Sequence, residues 1–300
     1  MKQFVAMMSL LLFLLIFHKE TISGTETGLL LWYQTLVPSL LPFILITNAL
    51  SETNSYQAAS HYLQKYFSPR IYECMAIVLG NLCGYPIGGK IINDFVQNQY
   101  LSGSKANQLL ALASQASPMF LLGYIHLHII KNSIPLSIFL LSIYLPVIIG
   151  YAILSRKENT YQNYTFFPSQ NTVHICDTFL HAVQIMVMIG IYVILFSILL
   201  NILLLYCHST PSRLLLSFLE ITTGLKLLDS LCLSAPLKTA LICALSSFGG
   251  MCSAFQIKSV LNYPEANIKK YLHDKFLLST GTFLIIYFYL KFHSSAEVFN

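Results

Sequence analysis

The sequence predicts an all-α, polytopic integral membrane protein: a helical bundle with broken or re-entrant helices and two inverted pseudo-repeats. Two observations predict the bundle. Apolar residues make up 55% of the 300 residues and charged residues only 10%, whereas soluble domains carry roughly a quarter charged residues. Long apolar stretches also recur along the whole chain, as expected when much of the surface faces lipid. A third observation, the clustering of glycine and proline inside these stretches, predicts the broken helices.

The apolar stretches give the order of the predicted membrane segments. A helix needs about 20 apolar residues to cross the bilayer core, and Ile134–Leu154, which has no charged residue, is the clearest example. Because several stretches are short or interrupted, we expect roughly seven to nine crossing or re-entrant segments. In chain order the stretches are Phe4–Phe17, Leu29–Leu50, Ile71–Val96, Ala106–Ile130, Ile134–Leu154, Thr178–Tyr206, Leu214–Leu233, Pro236–Leu261 and Phe276–Leu290.

The first apolar stretch, Phe4–Phe17, has the length of a signal-peptide core and follows Lys2. Signal peptides end in a small-x-small cleavage site, but this stretch is followed by His18, Lys19 and Glu20. We therefore expect residues 1–20 to form a retained N-terminal transmembrane helix, with a cleaved signal peptide as the alternative.

Basic residues in three connections predict the orientation. The positive-inside rule places such connections in the cytoplasm. All three can lie there only if Ile71–Val96 turns back within the membrane or forms a broken pair. One element between Tyr206 and Pro264 must also fail to cross. Re-entrant elements are tolerated only where they are buried in protein or line a watery cavity, so they indicate a transport pathway. The basic residues concerned are Lys65 with Arg70, Arg156 with Lys157, and Lys269 with Lys270 and Lys275.

Two related halves are predicted: a first repeat over residues 29–155, a polar linker over 156–177 and a second repeat over 178–292. When 79–91 is aligned with 245–257, Gly84 meets Gly250 and Lys90 meets Gln256. Inverted repeats with helices interrupted at corresponding positions indicate a transport site near the membrane midplane. The alternative is that both segments are small-residue patches for helix packing.

The sharpest motif is the segment from Asn81 to Lys90. Glycine permits backbone shapes that other residues avoid, and Pro86 removes a backbone donor, so a helix should break here. A second half-helix would then begin near Gly88 with a partial positive charge at its N-terminus. Lys90 adds a full charge, and an anion suits this combination. The alternative is that Lys90 reaches toward a lipid headgroup while the glycines only pack.

Two further polar interruptions are candidates for the same site. Ser114–Pro118 breaks the next apolar stretch, and its serines can either contact a ligand or bond the carbonyls that proline leaves free. The second is Glu220–Gly224, in which Glu220 places a carboxylate within an apolar stretch. It can pair with Lys90 or Lys226, carry a coupling proton or bind a cation; alternatively, it lies at a helix end in water.

Other functional classes lack their motifs. The seven cysteines form no C-x-x-C pair, so neither a zinc site nor a disulfide framework is indicated. The net charge of +5 is spread out, without the basic tract of a nucleic-acid-binding protein. No nucleophile–base or metal constellation of an enzyme is evident. We therefore expect no catalytic residues, metal or cofactor.

Several of these stretches carry a family resemblance. Five segments resemble the YlbJ-type sporulation integral membrane proteins and occur in the same order as in that family. They are Trp32–Pro42, Gly84–Lys90, Ser117–Phe120, Leu219–Gly224 and Ser247–Gln256. Gly-Tyr-Pro-x-Gly-x-Lys is the most specific match. The resemblance implies a nucleoside-recognition or Gate domain, remotely related to concentrative nucleoside transporters and to the gate of the ferrous-iron transporter. It also implies a role in endospore formation, moving dipicolinic acid across the outer forespore membrane.

The combined prediction is a membrane transporter of a small organic anion, with dipicolinic acid the substrate that the resemblance implies. The alternatives are a transporter of nucleosides or other small polar solutes, and a non-transporting scaffold for sporulation proteins. The expected partners are the bilayer, the solute, and possible further copies or other sporulation membrane proteins. The predicted substrate-binding residues are Asn81, Gly84, Tyr85, Pro86, Gly88, Gly89, Lys90, Ser114, Ser117, Pro118, Glu220, Thr223, Gly224, Gly249, Gly250 and Gln256.

Overall fold

The computed structural model describes residues 1–52, 70–157 and 175–297, and within these ranges every regular element is helical. Two segments, π1 (Trp32–Leu36) and π2 (Phe120–Ile129), are π-helical. The α-helices are α1 Lys2–Ile16, α2 His18–Leu31, α3 Val37–Glu52, α4 Ile71–Cys83, α5 Ile87–Gln97, α6 Gly103–Leu109, α7 Leu136–Lys157, α8 Ile175–Leu204, α9 Thr210–Ser217, α10 Ile221–Ser230, α11 Ala235–Phe248, α12 Gly250–Val260 and α13 Ile268–Glu297.

Five stretches in the described ranges are long and apolar enough to cross a membrane. Three are single helices, in α7, α8 and α13, whereas α2–π1–α3 and α11–α12 each combine shorter elements. Large apolar side chains such as Leu180, Val183 and Val187 on α8 are exposed, as expected for a surface in contact with lipid. The predicted all-α, polytopic bundle is confirmed. The spans are His18–Ala49, Leu136–Arg156, Phe179–Leu204, Ala235–Val260 and Ile268–His293.

The first composite span packs closely against α8. A Cβ atom at Gly24 would lie 2.6 Å from the Cα of Ile198, and one at Gly28 would lie 2.7 Å from the Cα of Ile194. Small residues at such positions let helix backbones approach, which is the usual source of helix association in lipid. At the start of π1 the indole nitrogen of Trp32 donates to the carbonyl of Met186, at 2.8 Å. This contact fixes α8 against π1.

Helices α4 and α5 form a helical hairpin. They are separated by three residues, and a Cβ atom at Gly80 would lie 3.1 Å from the Cα of Gly88. The carbonyl oxygen of Ala113 fills the remaining space, because a Cβ at either glycine would overlap it. The predicted turn within Ile71–Val96 is therefore present, and the small residues are needed for three backbone segments to meet.

Helices α9 and α10 form a second, shorter hairpin, in which Gly224 lies against the carbonyl oxygen of Ser217. It supplies the predicted extra element between Tyr206 and Pro264. Two backbone carbonyls in the turn of this hairpin accept hydrogen bonds from the first turn of α12, next to the break between α11 and α12. The Met251 amide donates to the Phe218 carbonyl at 2.8 Å, and Cys252 donates to the next carbonyl.

The prediction that Lys275 lies in a loop with Lys269 and Lys270 is wrong. All three lie within α13, and Lys275 is completely buried. The predicted apolar stretch begins at Phe276, which left Lys275 in the preceding loop. In the structure, buried carbonyl oxygens accept hydrogen bonds from the ammonium of Lys275, so the lysine lies inside the protein. Lys65 and most of the predicted linker fall outside the described residues.

The proposed alignment of the halves pairs positions with different surroundings. Gly84 lies at the turn of the α4–α5 hairpin, whereas Gly250 begins α12 inside a composite span. In order along the chain, each hairpin is followed by a broken segment: Ser114–Ser117 after the first hairpin and Gly249 after the second. The inverted relation between the two halves stays a prediction.

Candidate functional site

Four breaks in the chain meet at one cavity. Each break immediately precedes a helical segment: Tyr85 comes before α5, Ser117 before the helical turn leading into π2, Glu220 before α10 and Gly249 before α12. All four of these residues line the cavity, and apolar residues of π1, α3 and α8 close it from the other side. The lining residues are Leu36, Leu40, Tyr85, Ala116, Ser117, Phe120, Ile189, Val193, Glu220, Ile221, Gly249, Cys252, Ser253 and Gln256.

The first break requires glycine for two reasons. Gly84 has a φ of +77°, a region that residues with side chains rarely adopt. A Cβ atom there would also lie 2.6 Å from the backbone nitrogen of Ser117. Beyond it, the Tyr85 amide donates to the carbonyl of Gln115 at 3.1 Å, and the Tyr85–Pro86 peptide is cis. The tip of the first hairpin is thus held against the second break.

The second break is the unwound segment Ser114–Ser117, which Asn81 fastens to α4. The Asn81 side-chain amide donates to the Leu112 carbonyl at 2.9 Å, and its oxygen accepts from the Gln115 amide at 3.2 Å. The hydroxyl of Ser117 accepts from the Phe120 amide at 3.3 Å, so this serine caps the helical segment that restarts at Pro118. The break predicted at Ser114–Pro118 is present.

Replacing Asn81 with alanine should destabilise the protein because the buried Leu112 carbonyl and the buried Gln115 amide lose their hydrogen-bond partner. Each lost partner of this kind costs roughly 1–3 kcal/mol, so we expect a loss of about 2 kcal/mol or more in the apparent thermal stability of the purified protein. Asn98→Ala is the matched control, since Asn98 is exposed and bonds only its own helix at Asp94. Equal stability of the two variants would contradict the fastening role of Asn81.

The third break is capped by Glu220, whose side chain is buried with 1% of the residue exposed. Its carboxylate accepts from the backbone amides of Thr222 and Thr223 at 3.0 and 2.8 Å and from both hydroxyls at 2.6 and 2.7 Å. A carboxylate at a helix N-terminus is stabilised by these amides and by the helix dipole. Glu220 therefore lies at a helix end, as one alternative held, but in the protein interior rather than in water. Its hydrogen bonds go to this first turn and not to Lys90 or Lys226.

The fourth break consists of Gly249 and Gly250, which both have positive φ values, +87° and +79°. A Cβ atom at Gly249 would lie 3.1 Å from the ring of Tyr85, so the first and fourth breaks are in direct contact. One turn into α12, the amide nitrogen of Gln256 lies 3.3 Å from the sulfur of Cys252. This weak pairing leaves most of the hydrogen-bonding capacity of Gln256 available at the cavity wall.

Lys90 lies away from the cavity lining. Its ammonium donates to the side-chain oxygen of Asn48 on α3 at 2.6 Å. Gly89 faces α12, where a Cβ would meet Ile257 at 3.4 Å. Of the predicted residues, the structure brings together at the cavity Tyr85, Ser117, Glu220, Gly249 and Gln256. The others shape the breaks or lie behind them: Asn81, Gly84, Pro86, Gly88, Gly89, Ser114, Pro118, Thr223, Gly224 and Gly250, with Lys90 beside α3.

Two groups of residues at or near the cavity were not predicted from the sequence. The apolar wall from α3 and α8, including Leu40, Ile189 and Val193, carries no motif and is identified only by the fold. Lys275 contacts the unwound segment directly. An ionisable residue within a membrane helix is a functional candidate by default, and that rule would have identified Lys275 had the span been extended by one residue.

The cavity combines several helix N-termini with a single carboxylate. Helix N-termini carry partial positive charge, and here the end of α10 is already matched by Glu220. Among the described lining residues none is Lys, Arg or His. The cavity volume open to the centre of a water-sized sphere is ≈ 20 Å³, whereas one water needs roughly 10–15 Å³ by that measure. The cavity thus has space for a water or two, and a larger solute requires the breaks to separate.

No group of three or more His, Cys, Asp or Glu side chains in residues 1–52, 70–157 and 175–297 is arranged to hold a metal ion.

Comparison with known proteins gives one informative relative. The chain is 23% identical to the sporulation integral membrane protein YlbJ of Bacillus subtilis (strain 168), over 86% of this chain and 75% of YlbJ. No family model and no solved structure matches. The relative supports the resemblance predicted from the motifs, and the membrane-length helices agree with its description as an integral membrane protein. The chain is therefore an integral membrane protein similar to the YlbJ-type sporulation proteins.

Proposed function

We propose that the protein is a non-enzymatic transporter of a small organic anion and that the cavity between the four breaks is its substrate site. The observation that carries this proposal is the convergence of four chain breaks, from two hairpins and two broken segments, on one cavity. Discontinuous helices whose N-termini face a shared cavity are the usual way in which transporters hold anionic groups within a membrane.

Dipicolinate is the first candidate substrate because of the likeness to YlbJ-type proteins and because its chemistry suits the wall. Its carboxylates would accept hydrogen bonds from the side-chain amide of Gln256 and the hydroxyl of Ser117, which both line the cavity. Its planar ring would pack between the aromatic rings of Tyr85 and Phe120, which both line the cavity. In this proposal the transport membrane is the outer forespore membrane.

The contacts between the breaks suggest how the cavity would widen to admit a solute. The hairpin tips contact the broken segments through a few hydrogen bonds, such as Tyr85 to Gln115 and Met251 to Phe218. Tyr124 of π2 also donates to the Thr222 carbonyl of α10 at 3.3 Å. Breaking these contacts on one side at a time would open the cavity alternately to the two sides of the membrane.

A second candidate, an uncharged polar solute such as a nucleoside, is favoured by a different observation. Among the described lining residues the only carboxylic acid is Glu220, and no basic side chain accompanies it. Carboxylate and amide groups, here Glu220 and Gln256, are suited to hydroxyls and heterocyclic N–H groups as donors. The two candidates differ in charge and can be compared in one assay.

The experiment is uptake of labelled dipicolinate and of labelled nucleosides into proteoliposomes, with wild type beside Gln256→Leu and Lys90→Ala. Gln256→Leu removes the polar group of the wall at nearly constant volume. Because a hydrogen bond to a charged partner contributes about 1.5–3 kcal/mol, we expect roughly tenfold or greater loss of dipicolinate uptake at low substrate concentration. Lys90→Ala should reduce uptake less, since Lys90 contacts Asn48 rather than the cavity.

The other outcomes are also informative. A larger loss in Lys90→Ala than in Gln256→Leu, with both proteins folded, would place the anion beside α5 rather than in the cavity. Uptake of nucleosides but not dipicolinate would favour the second candidate. Absence of saturable uptake of either solute under any gradient would contradict a transporter and favour a scaffold for sporulation proteins.

A further inference from the structure

The buried ammonium of Lys275 joins the two broken segments. It donates to the carbonyl of Ser114 at 3.1 Å, to the side-chain oxygen of Gln115 at 3.0 Å and to the carbonyl of Ser247 at 2.5 Å. The first two oxygens belong to the unwound segment after the first hairpin, and the third belongs to the end of α11. The residue is 0% exposed.

Both of these main-chain carbonyls have lost their normal helical partner. In a continuous helix the carbonyl of Ser114 would accept from the N–H four residues later, but that residue is Pro118, which has none. The carbonyl of Ser247 would accept from Met251, but that amide donates to Phe218 instead. The breaks therefore create a pair of free carbonyl oxygens that point toward each other.

A side-chain oxygen completes this oxygen cluster and is itself held in place. The amide nitrogen of Gln115 donates to the carbonyl of Ala111 at 3.3 Å, which turns its oxygen toward Lys275. The hydroxyl of Ser247 also lies 3.4 Å from that oxygen. Carbonyl and amide oxygens arranged around a point are the ligands that hard cations prefer in proteins.

The charge on Lys275 is matched by dipoles rather than by an acid. Its three partners are uncharged, and within the described part of the chain it forms no ion pair with a carboxylate. Ser247 lies in the last turn of α11, where the helix dipole favours a cation. The surroundings therefore resemble a site for a small bound cation more than a salt bridge.

We propose that Lys275 is a tethered cation that fills a monovalent-cation site formed by the two broken segments. In this arrangement the ammonium occupies the position that Na⁺ or a small alkylammonium ion would otherwise take, and it locks the unwound segment to α11. The two halves of the substrate cavity are thereby held together by a positive charge that belongs to the chain itself. No dissolved cation is needed to hold the wild-type protein closed.

The test uses Lys275→Ala and supplies the missing part of the side chain from solution. Truncation at Cβ removes a fragment that corresponds to n-propylammonium. We expect the apparent Tm of the detergent-purified variant to be lower than that of wild type in choline chloride. It should rise with the concentration of n-propylammonium chloride, as for any ligand that binds only the folded state, and Na⁺ should have a smaller effect in the same direction.

The matched control is Ser279→Ala. Ser279 lies one turn further along α13 and donates to the Ala244 carbonyl of α11 at 2.9 Å, so its loss weakens the same interface without removing a charge. Wild type and Ser279→Ala should have the same Tm in n-propylammonium and choline salts at equal ionic strength. A rise in all three proteins would overturn the proposal, because the cation would then act elsewhere.

Lys275→Met keeps the inference testable even if the alanine variant cannot be purified. Methionine fills a similar volume with no charge, so we expect a Tm below that of wild type in every salt. A methionine variant as stable as wild type would overturn the proposal, as would an alanine variant that is insensitive to all three cations. Because the readout is thermal unfolding, a failure to observe transport leaves this result unaffected.

Discussion

Replacing Gly88 with alanine should cause a larger loss of stability than the same change at any exposed position, while the neighbouring Gly89→Ala should be tolerated. A Cβ atom at Gly88 would overlap the carbonyl oxygen of Ala113 and lie 3.0 Å from its carbon. Both are backbone atoms of the segment that leads into the second break, so relief requires that this segment move. Overpacking of this kind costs typically 1–3 kcal/mol.

Gly89 provides a control in the adjacent residue of the same helix. A Cβ atom there would meet side-chain methyl groups of Ile257 and Val260 at 3.4 Å, which can adjust. Alanine also has the better helix propensity, by roughly 0.5–1 kcal/mol. We therefore expect the apparent Tm of Gly89→Ala to match or exceed that of wild type, and that of Gly88→Ala to fall by several degrees, at about 2–4 °C per kcal/mol.

This pair of variants tests the architecture of the first hairpin. If Gly88→Ala were as stable as Gly89→Ala, the close contact between α5 and the Ala113 carbonyl would be disproved. If it were less stable but retained full uptake, the position of the second break would matter for folding and not for transport. We expect both properties to decline together, because the displaced segment continues into Ser114–Ser117 at the cavity.

Replacing Glu220 should have the second large effect, and the choice of substituent separates folding from transport. In Glu220→Ala the backbone amides and the hydroxyls of Thr222 and Thr223 lose their common hydrogen-bond acceptor. Losing a helix cap costs roughly 0.5–2 kcal/mol, and burial of the stranded donors adds roughly 1–3 kcal/mol. We expect Glu220→Ala to be destabilised by about 3 kcal/mol in thermal unfolding of the purified protein.

Glu220→Gln should retain the fold because the amide oxygen still accepts from the first turn of α10. It removes the carboxylate from a wall that an anion must approach. We expect Glu220→Gln to take up more dipicolinate than wild type at low substrate concentration, because the substitution removes a carboxylate that repels the anionic substrate. Nucleoside uptake, measured in parallel, should show no such difference between the two proteins.

Equal dipicolinate uptake by wild type and Glu220→Gln would show that this carboxylate has no part in substrate binding. Glu220 would then have only the structural role of capping α10, which is measured by the thermal unfolding of Glu220→Ala. An increase in stability in Glu220→Ala would contradict even that role, since the hydrogen bonds to Thr222 and Thr223 could not then be stabilising.

The all-α membrane architecture and the positions of the breaks can be predicted from composition and local chemistry. Low charge and long apolar runs leave few alternatives to a lipid-facing bundle. Gly84 and Gly249 have positive φ values, which favour glycine, and a glycine inside an apolar stretch is recognisable in the sequence. Pro118 cannot continue a helix. Local chemistry was therefore enough to predict where helices end.

Which breaks meet, and which lysine is buried among them, depends on how the helices pack together. Tyr85 and Gly249 are far apart in sequence yet lie in contact, and no periodicity encodes that pairing. Lys90, predicted beside the anion, is directed to Asn48, whereas Lys275, predicted in a loop, holds the broken segments together. The physical reason is that a long, flexible lysine side chain pairs with whichever oxygens the packed helices leave without a donor, and those are defined only once the helices have assembled.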